Sequence, residues 1–473
     1  AELLKQAEAI AAAPITEAEV TAAKQRIANA IDKRASDVNA MAMALSEYQA
    51  AGDWRLLFVQ RDAIEGVTAA DVNRVAAAYL KPQNRTLGRF VPTAVPDRAV
   101  IPAAPAVAAL VDGYKGRAAV SAGEAFDPSV ENIAARTESF VIGDGLRVSL
   151  LPKRNRGQTV ALTATFRFAD EQAITGRSEA GSWVGPMLMA GSKRLDRGQI
   201  AARFDALNTQ AQVSGGMQGA SIGLNGKRES LAEALRLAAD VLRNPAFPQA
   251  EFEQLRLQAI TGLEFQRKEP GTQASLALSQ YFDPWPVGHP LHVQSIDESL
   301  ARLKALKLED VRAYHRDFYG TAEGEIAVVG DFDPVTLKTE LQALFADWKS
   351  PKPYAPISTH YRDVAATHER FVTPDKPNAV LLARQNISIN LADADFPALN
   401  IAVAILGGDP LKARLGDRIR QKDGLSYNVG AGLSADESRT GRDDNGSLSI
   451  QAIAAPENMG KLEAALREEL ARL

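Results

Sequence analysis

The sequence predicts an α+β fold made of repeated αβ domains, each a mainly antiparallel sheet covered by helices. Three observations carry this. Alternating strand-like runs, "LRVSLLPK" (146–153) and "TVALTATFRF" (159–168), lead into helix-like "RGQIAARFDAL" (197–207), the mixed order of an α+β domain. Stretches of the chain echo one another. With 473 residues, the chain is long enough for two or three domains with real cores.

The echoes set the organisation. "ALSEY" (44–48) resembles "ALSQY" (277–281), and Asp71-Val72 in "VTAADVNRVAAAYLKPQNRTLGRFVP" (67–92) matches Asp310-Val311 in "LKLEDVRAYHRDFYGTAEGEIAVVGDFDP" (306–334). Each of the longer copies reads as a capped helix, an aromatic end, a turn and a strand. Thr68 with Asp71 forms an N-cap start, and "GEIAVVGDFDP" is a short buried strand ended by Gly330. "LAEALRLAADVLRNP" (231–245) resembles both chain ends, so the chain is expected to begin and end inside the same helix of the repeat. The division expected is a back half of a repeat domain at 1–95, an extended linker at 96–136, a complete domain at 137–357 and a front half at 358–473. "VPTAVPDRAVIPAAPAVAALVDG" (91–113) and "SPKPYAPIS" (350–358) have the Pro/Ala composition of linkers.

Composition narrows the functional classes. Hydrophobic residues make up 46% and charged residues 24%, with a net charge of −4 from 54 basic and 58 acidic side chains. That is a globular composition without the basic field a nucleic-acid binder needs. No apolar run reaches the roughly 18 residues of a membrane span. Cysteine is absent, which excludes disulfides, thiolate zinc sites and a cysteine nucleophile. There is no G-x-S-x-G elbow and no P-loop. The Gly-Gly pairs at 215–216 and 407–408 are read as turns.

The five histidines are His289, His292, His315, His360 and His368, and none pairs with another at helical zinc spacing. His289 and His292, in "VGHPLH", are expected in a structural loop, and His315 at a helix surface or in packing. One stretch remains, "GDRIRQKDGLSYNVGAGL" (416–433). It sets Arg418 and Arg420 in a charged helical turn, breaks it at Gly424 and opens a strand-like run at Tyr427.

The order of "GDWRLLFVQRDAIEGVTAADV", "GEAFDPSVENIAART", "VVGDFDP", "PDKPNAV" and "ILGGDPLKARLGDRIRQKDGLSY" resembles the pitrilysin/insulinase-type zinc metallopeptidases. These are inverzincins with an H-x-x-E-H motif. The resemblance spans essentially the whole chain, and the last string is its most specific part. It implies one half of a clam-like enzyme enclosing a chamber, the half without zinc. Arg420 and Tyr427 then match the family's pair for transition-state and substrate positioning. Ser182, Gly185 and Pro186, in "EAGSWVGPMLMAGSKRL" (179–195), fall where histidine, glutamate and histidine would stand. Glu264 falls near a downstream ligand and is expected to be structural.

The resemblance therefore implies no cofactor on this chain and zinc in a missing or partner catalytic domain. That domain is encoded upstream or supplied by another chain. The expected partners are a peptide substrate and this zinc domain, with self-association open and nucleic acid and membrane excluded. A periplasmic setting is expected, with the cytoplasm as the other possibility. The alternative function is an inactive scaffold or partner subunit of a peptidase-like complex.

Overall fold

The structure, a computed structural model, describes residues 13–81, 107, 111–115, 122–143, 145–372, 377–409, 412–437 and 443–472. The helix pattern that opens the chain, the strand that should close 67–92 and most of the linker at 91–113 lie outside the described residues.

Among the described residues four helices come first: Glu17–Ser36, Val38–Ala50, Leu56–Gly66 and Ala69–Tyr79. Local chemistry starts three of them. Thr16 and Glu19 make a reciprocal capping box, as do Thr68 and Asp71, and the Asp37 carboxylate accepts from the Ala40 amide. Each satisfies donors that a helix start leaves open.

The next unit holds a six-stranded sheet. Its strands are β1 (Glu138–Ile142), β2 (Leu146–Pro152), β3 (Thr159–Arg167), β4 (Gln210–Gly215), β5 (Gly219–Lys227) and β6 (Glu323–Gly330), in spatial order β1-β2-β6-β3-β5-β4. All neighbours are antiparallel except β2 and β6. The alternation of β3 buries Val160, Leu162, Ala164 and Phe166, as a sheet covered on one face requires. Helices Ser178–Leu188, Leu231–Arg243, Leu308–Phe318 and Pro334–Phe345 contribute to one continuous core with these strands. At its centre the Phe166 ring lies 5.1 Å from Phe345 and 5.0 Å from Trp348. Gly330 ends β6 at φ +134°, where a Cβ would meet the Thr159 carbonyl at 2.4 Å; only glycine fits there.

Part of the segment expected as an extended linker is helical. Val130–Arg136 forms a short helix because the Ser129 hydroxyl accepts from the Asn132 amide. Asp127 in turn receives the Ser129 amide and hydroxyl. From Ser350 to Val372 the chain runs without helix or strand.

The last unit is a three-stranded antiparallel sheet of β7 (Ala379–Ser388), β8 (Ser426–Ser434) and β9 (Asn445–Ala454), ordered β7-β9-β8. Its core face carries Val429, Ile450 and Ala452, packed on Leu406, Leu415, Ile419 and helix Met459–Ala471. The order of elements and of strands repeats that of β3, β5 and β4 in the larger unit. The first four helices, of 20, 13, 11 and 11 residues, likewise parallel Gln249–Gln266, Pro270–Tyr281, Ile296–Ala305 and Leu308–Phe318, of 18, 12, 10 and 11.

The Gly-Gly pair at 407–408 corrects the sequence reading: it is no turn. It closes a π-helical segment, Ala404–Gly408, laid on β8. A Cβ on Gly407 would meet the Ala431 amide at 2.5 Å, so the pair permits helix–strand contact. Gly215 and Gly216 do lead into the β4–β5 hairpin, where the Gly216 amide donates to the Gly219 carbonyl over 2.8 Å.

Candidate functional site

The stretch 416–427 forms a tight corner. Residues Gly416–Lys422 coil as a π-helix, with the Asp423 amide donating to the Arg418 carbonyl over 3.0 Å. Single π turns of this kind cluster at functional sites. Gly424 then adopts φ +62° with no atom near its would-be Cβ, a left-handed turn that glycine makes at no steric cost. The chain enters β8 with Ser426 buried, its hydroxyl donating to the Ile453 carbonyl over 2.7 Å.

Tyr427 is a bulge. Ser426 pairs with Ala454 and Asn428 with Ile453, leaving Tyr427 without an opposing residue. A bulge re-aims the side chain it carries, and Tyr427 is 82% exposed although Ser426 and Val429 are buried.

The two arginines of the turn part company. Arg418 is held by Asp423 at 3.1 Å and Glu468 at 3.0 Å. The half-buried Arg420 instead places its guanidinium carbon 4.4 Å from the Tyr427 ring centroid. The pair that the sequence set seven residues apart is thus brought into contact, with the phenol facing outward. Such a pair has donors for an oxyanion and for a carbonyl.

The helix Ser178–Leu188 presents Ser182 and Pro186 on its exposed side. The Ser182 hydroxyl donates to the Ser178 carbonyl over 3.0 Å, and Pro186 offers no donor or ligand atom on its side chain. At Gly185 a Cβ would lie 2.1 Å from the Gly215 carbonyl oxygen. No carboxylate fits where the helix touches β4 so closely. These three positions do not suit zinc. Glu264 is exposed and ion-pairs with Arg267 at 3.4 Å.

The "VGHPLH" loop is held largely by its neighbours, and His289 Nε2 lies 3.0 Å from the Glu171 carboxylate. His292 Nδ1 lies 2.8 Å from Asp283, and His289 Nδ1 accepts from the Leu291 amide over 3.1 Å while its ring stacks on Trp285 at 4.0 Å. Burial drives the Asp283 carboxyl upward, but bonds from the Trp285 and Val293 amides and from His292 outweigh it and leave the group below its ordinary range. His315 donates from Nε2 to the Leu242 carbonyl over 2.8 Å inside the core edge. Among the described residues there is no cluster of three or more His, Cys, Asp or Glu able to hold a metal ion. No helix among them is long and apolar enough to cross a membrane.

Residues 305–473 match the family described as peptidase M16 inactive domain. Over those residues the chain is similar to that family. A Rickettsia bellii protein described as an uncharacterized zinc protease is 24% identical over 328 residues, covering 67% of this chain and 73% of that one. The crystal structure of a peptidase M16 inactive domain from Pseudomonas fluorescens superposes with a TM-score of 0.60 at 22% identity, over 71% of this chain and 78% of its own. The periplasmic protease PqqL from Escherichia coli matches all of this chain with 53% of its own, at TM-score 0.56 and 13% identity. The chain therefore spans about half the length of that protease.

Proposed function

We propose that this chain is the non-zinc half of a zinc-dependent metalloendopeptidase. In this reading residues 1–95 are the back half of one repeat domain, 137–357 a complete one and 358–473 the front half of another. Together they wall a chamber that admits peptides. The zinc belongs to a separate catalytic domain, on the same protein or a partner. The periplasm is the proposed compartment, supported by the match to a periplasmic protease.

The observation that carries the reading is the outward-facing Tyr427 held against Arg420 at a π-helix-to-bulge corner. The Tyr427 hydroxyl donates to the oxyanion of a tetrahedral intermediate, and Arg420 orients a substrate carbonyl. The test is peptide hydrolysis by this chain together with its zinc-motif domain. Tyr427→Phe and Arg420→Ala should each lower kcat about 100- to 1000-fold with little change in KM, the cost of one oxyanion donor. Unchanged kinetics in both variants contradicts the role.

The packing at Gly185 also favours a second reading, an inactive scaffold or partner subunit. That reading gains if the chain stimulates the zinc domain while both variants remain fully effective.

A further inference from the structure

Away from the Arg420–Tyr427 corner, the sheet of the last unit turns its other face to the larger unit. Alternation puts Arg384 and Asn386 of β7 on that face, against helix Pro270–Tyr281 and the loop after it. Between them lies a cavity of about 230 Å³ whose lining includes Phe282, Trp285, Leu291, Arg362, Arg384 and Asn386.

Two polar groups in this lining lack what they need. Arg384 is half-buried; its Nε makes no hydrogen bond, and no carboxylate lies within ion-pair distance among the described residues. Its guanidinium carbon sits 4.6 Å from the Phe282 ring centroid. Burial pulls Arg384 below its ordinary range, since desolvation disfavours its charged form. Beside it, Asn386 Nδ2 donates to the Arg362 carbonyl over 3.1 Å, while Asn386 Oδ1 is buried with no donor. Arg362 donates to the Phe282 carbonyl over 3.0 Å. The one carboxylate in the lining, Asp283, is already committed to two backbone amides and His292. Unmatched buried polar groups cost free energy, and here a donor fork and an acceptor stand together beside apolar walls.

We propose that this cavity binds the C-terminal residue of a peptide. Its carboxylate pairs with Arg384, its amide N–H donates to Asn386 Oδ1, and its side chain rests on Phe282, Trp285 and Leu291. The volume is below the roughly 300–1,000 Å³ of drug-sized sites, which suits one residue. The site rests on the peptidase reading only in taking a peptide as ligand. Its test measures binding to this chain alone, so it fails or succeeds separately from the kinetics of Tyr427.

The experiment is calorimetric titration of the full chain with a short peptide ending in leucine, as the free acid and as the C-terminal amide. The free acid should bind roughly 10- to 100-fold more tightly, the worth of a charge-assisted pair. Arg384→Gln should abolish that preference. Asn386→Asp, which supplies Arg384 with an internal carboxylate, should abolish it too and serves if the first variant fails to fold. Equal binding of acid and amide, or a preference that survives either substitution, overturns the proposal. So does inorganic phosphate displacing the peptide at matching concentration, which would make the site a general anion trap.

Discussion

The Arg420 guanidinium carbon lies 4.4 Å from the centroid of the Tyr427 ring, across a corner where a π-helical turn gives way to a bulged strand. The contact fixes the ring's base while the phenol faces outward. An exposed contact of this kind contributes about 0.5–1 kcal/mol. Tyr427→Ala should therefore lower stability by no more than about 1 kcal/mol in urea unfolding. A loss above about 2 kcal/mol would mark Tyr427 as a packing residue. If the proposed peptidase role holds, Arg418→Ala, which removes the links to Asp423 and Glu468, should leave kcat unchanged where Arg420→Ala lowers it.

Gly185 gives a sharper structural prediction. With the Gly215 carbonyl oxygen 2.1 Å from its would-be Cβ, Gly185→Ala should destabilise by about 1–3 kcal/mol or more through overpacking. Writing the zinc motif back in, as Ser182→His, Gly185→Glu and Pro186→His together, should lower the melting temperature further and bind no zinc. A stable triple variant that binds zinc stoichiometrically would show that the helix has room for a metal site.

His315 makes stability depend on pH. Burial holds its pKa below the ordinary 6.5, the Leu242 carbonyl opposes this, and Lys193 adds to it. The folded protein keeps this base neutral, while the unfolded chain protonates it below about pH 6.5. The contribution is thus complete above that value and is lost as pH falls below it toward the lower folded value. Urea midpoints should drop between about pH 7 and pH 5, and His315→Gln should flatten that drop. Parallel profiles for the two proteins would contradict the assignment.

Much of this architecture is legible in local chemistry. Thr68 and Asp71 announce a capped helix, and the alternation of Val160, Leu162, Ala164 and Phe166 announces a half-covered strand. The insertion of β6 between β2 and β3 is not legible, because a parallel pairing over so long a separation leaves no local pattern. The resemblance singles out Arg420 and Tyr427 by spacing, but not the bulge that turns the phenol outward, which depends on the register between β8 and β9. Gly407 looks like a turn because glycine has two uses, and only the neighbouring Ala431 reveals the second. Arg384 carries a signal, as a charge that directly follows the apolar run "AVLLA" in a strand. What surrounds it depends on residues a hundred positions away.

Where the zinc sits is measured most directly as the zinc content of the chain purified without chelator, by elemental mass spectrometry. Essentially no zinc is expected, because Ser182, Gly185 and Pro186 do not suit a zinc site and the proposed function places the metal in another domain. One zinc per chain would contradict it and move the search for ligands to His289, His292 and Glu264.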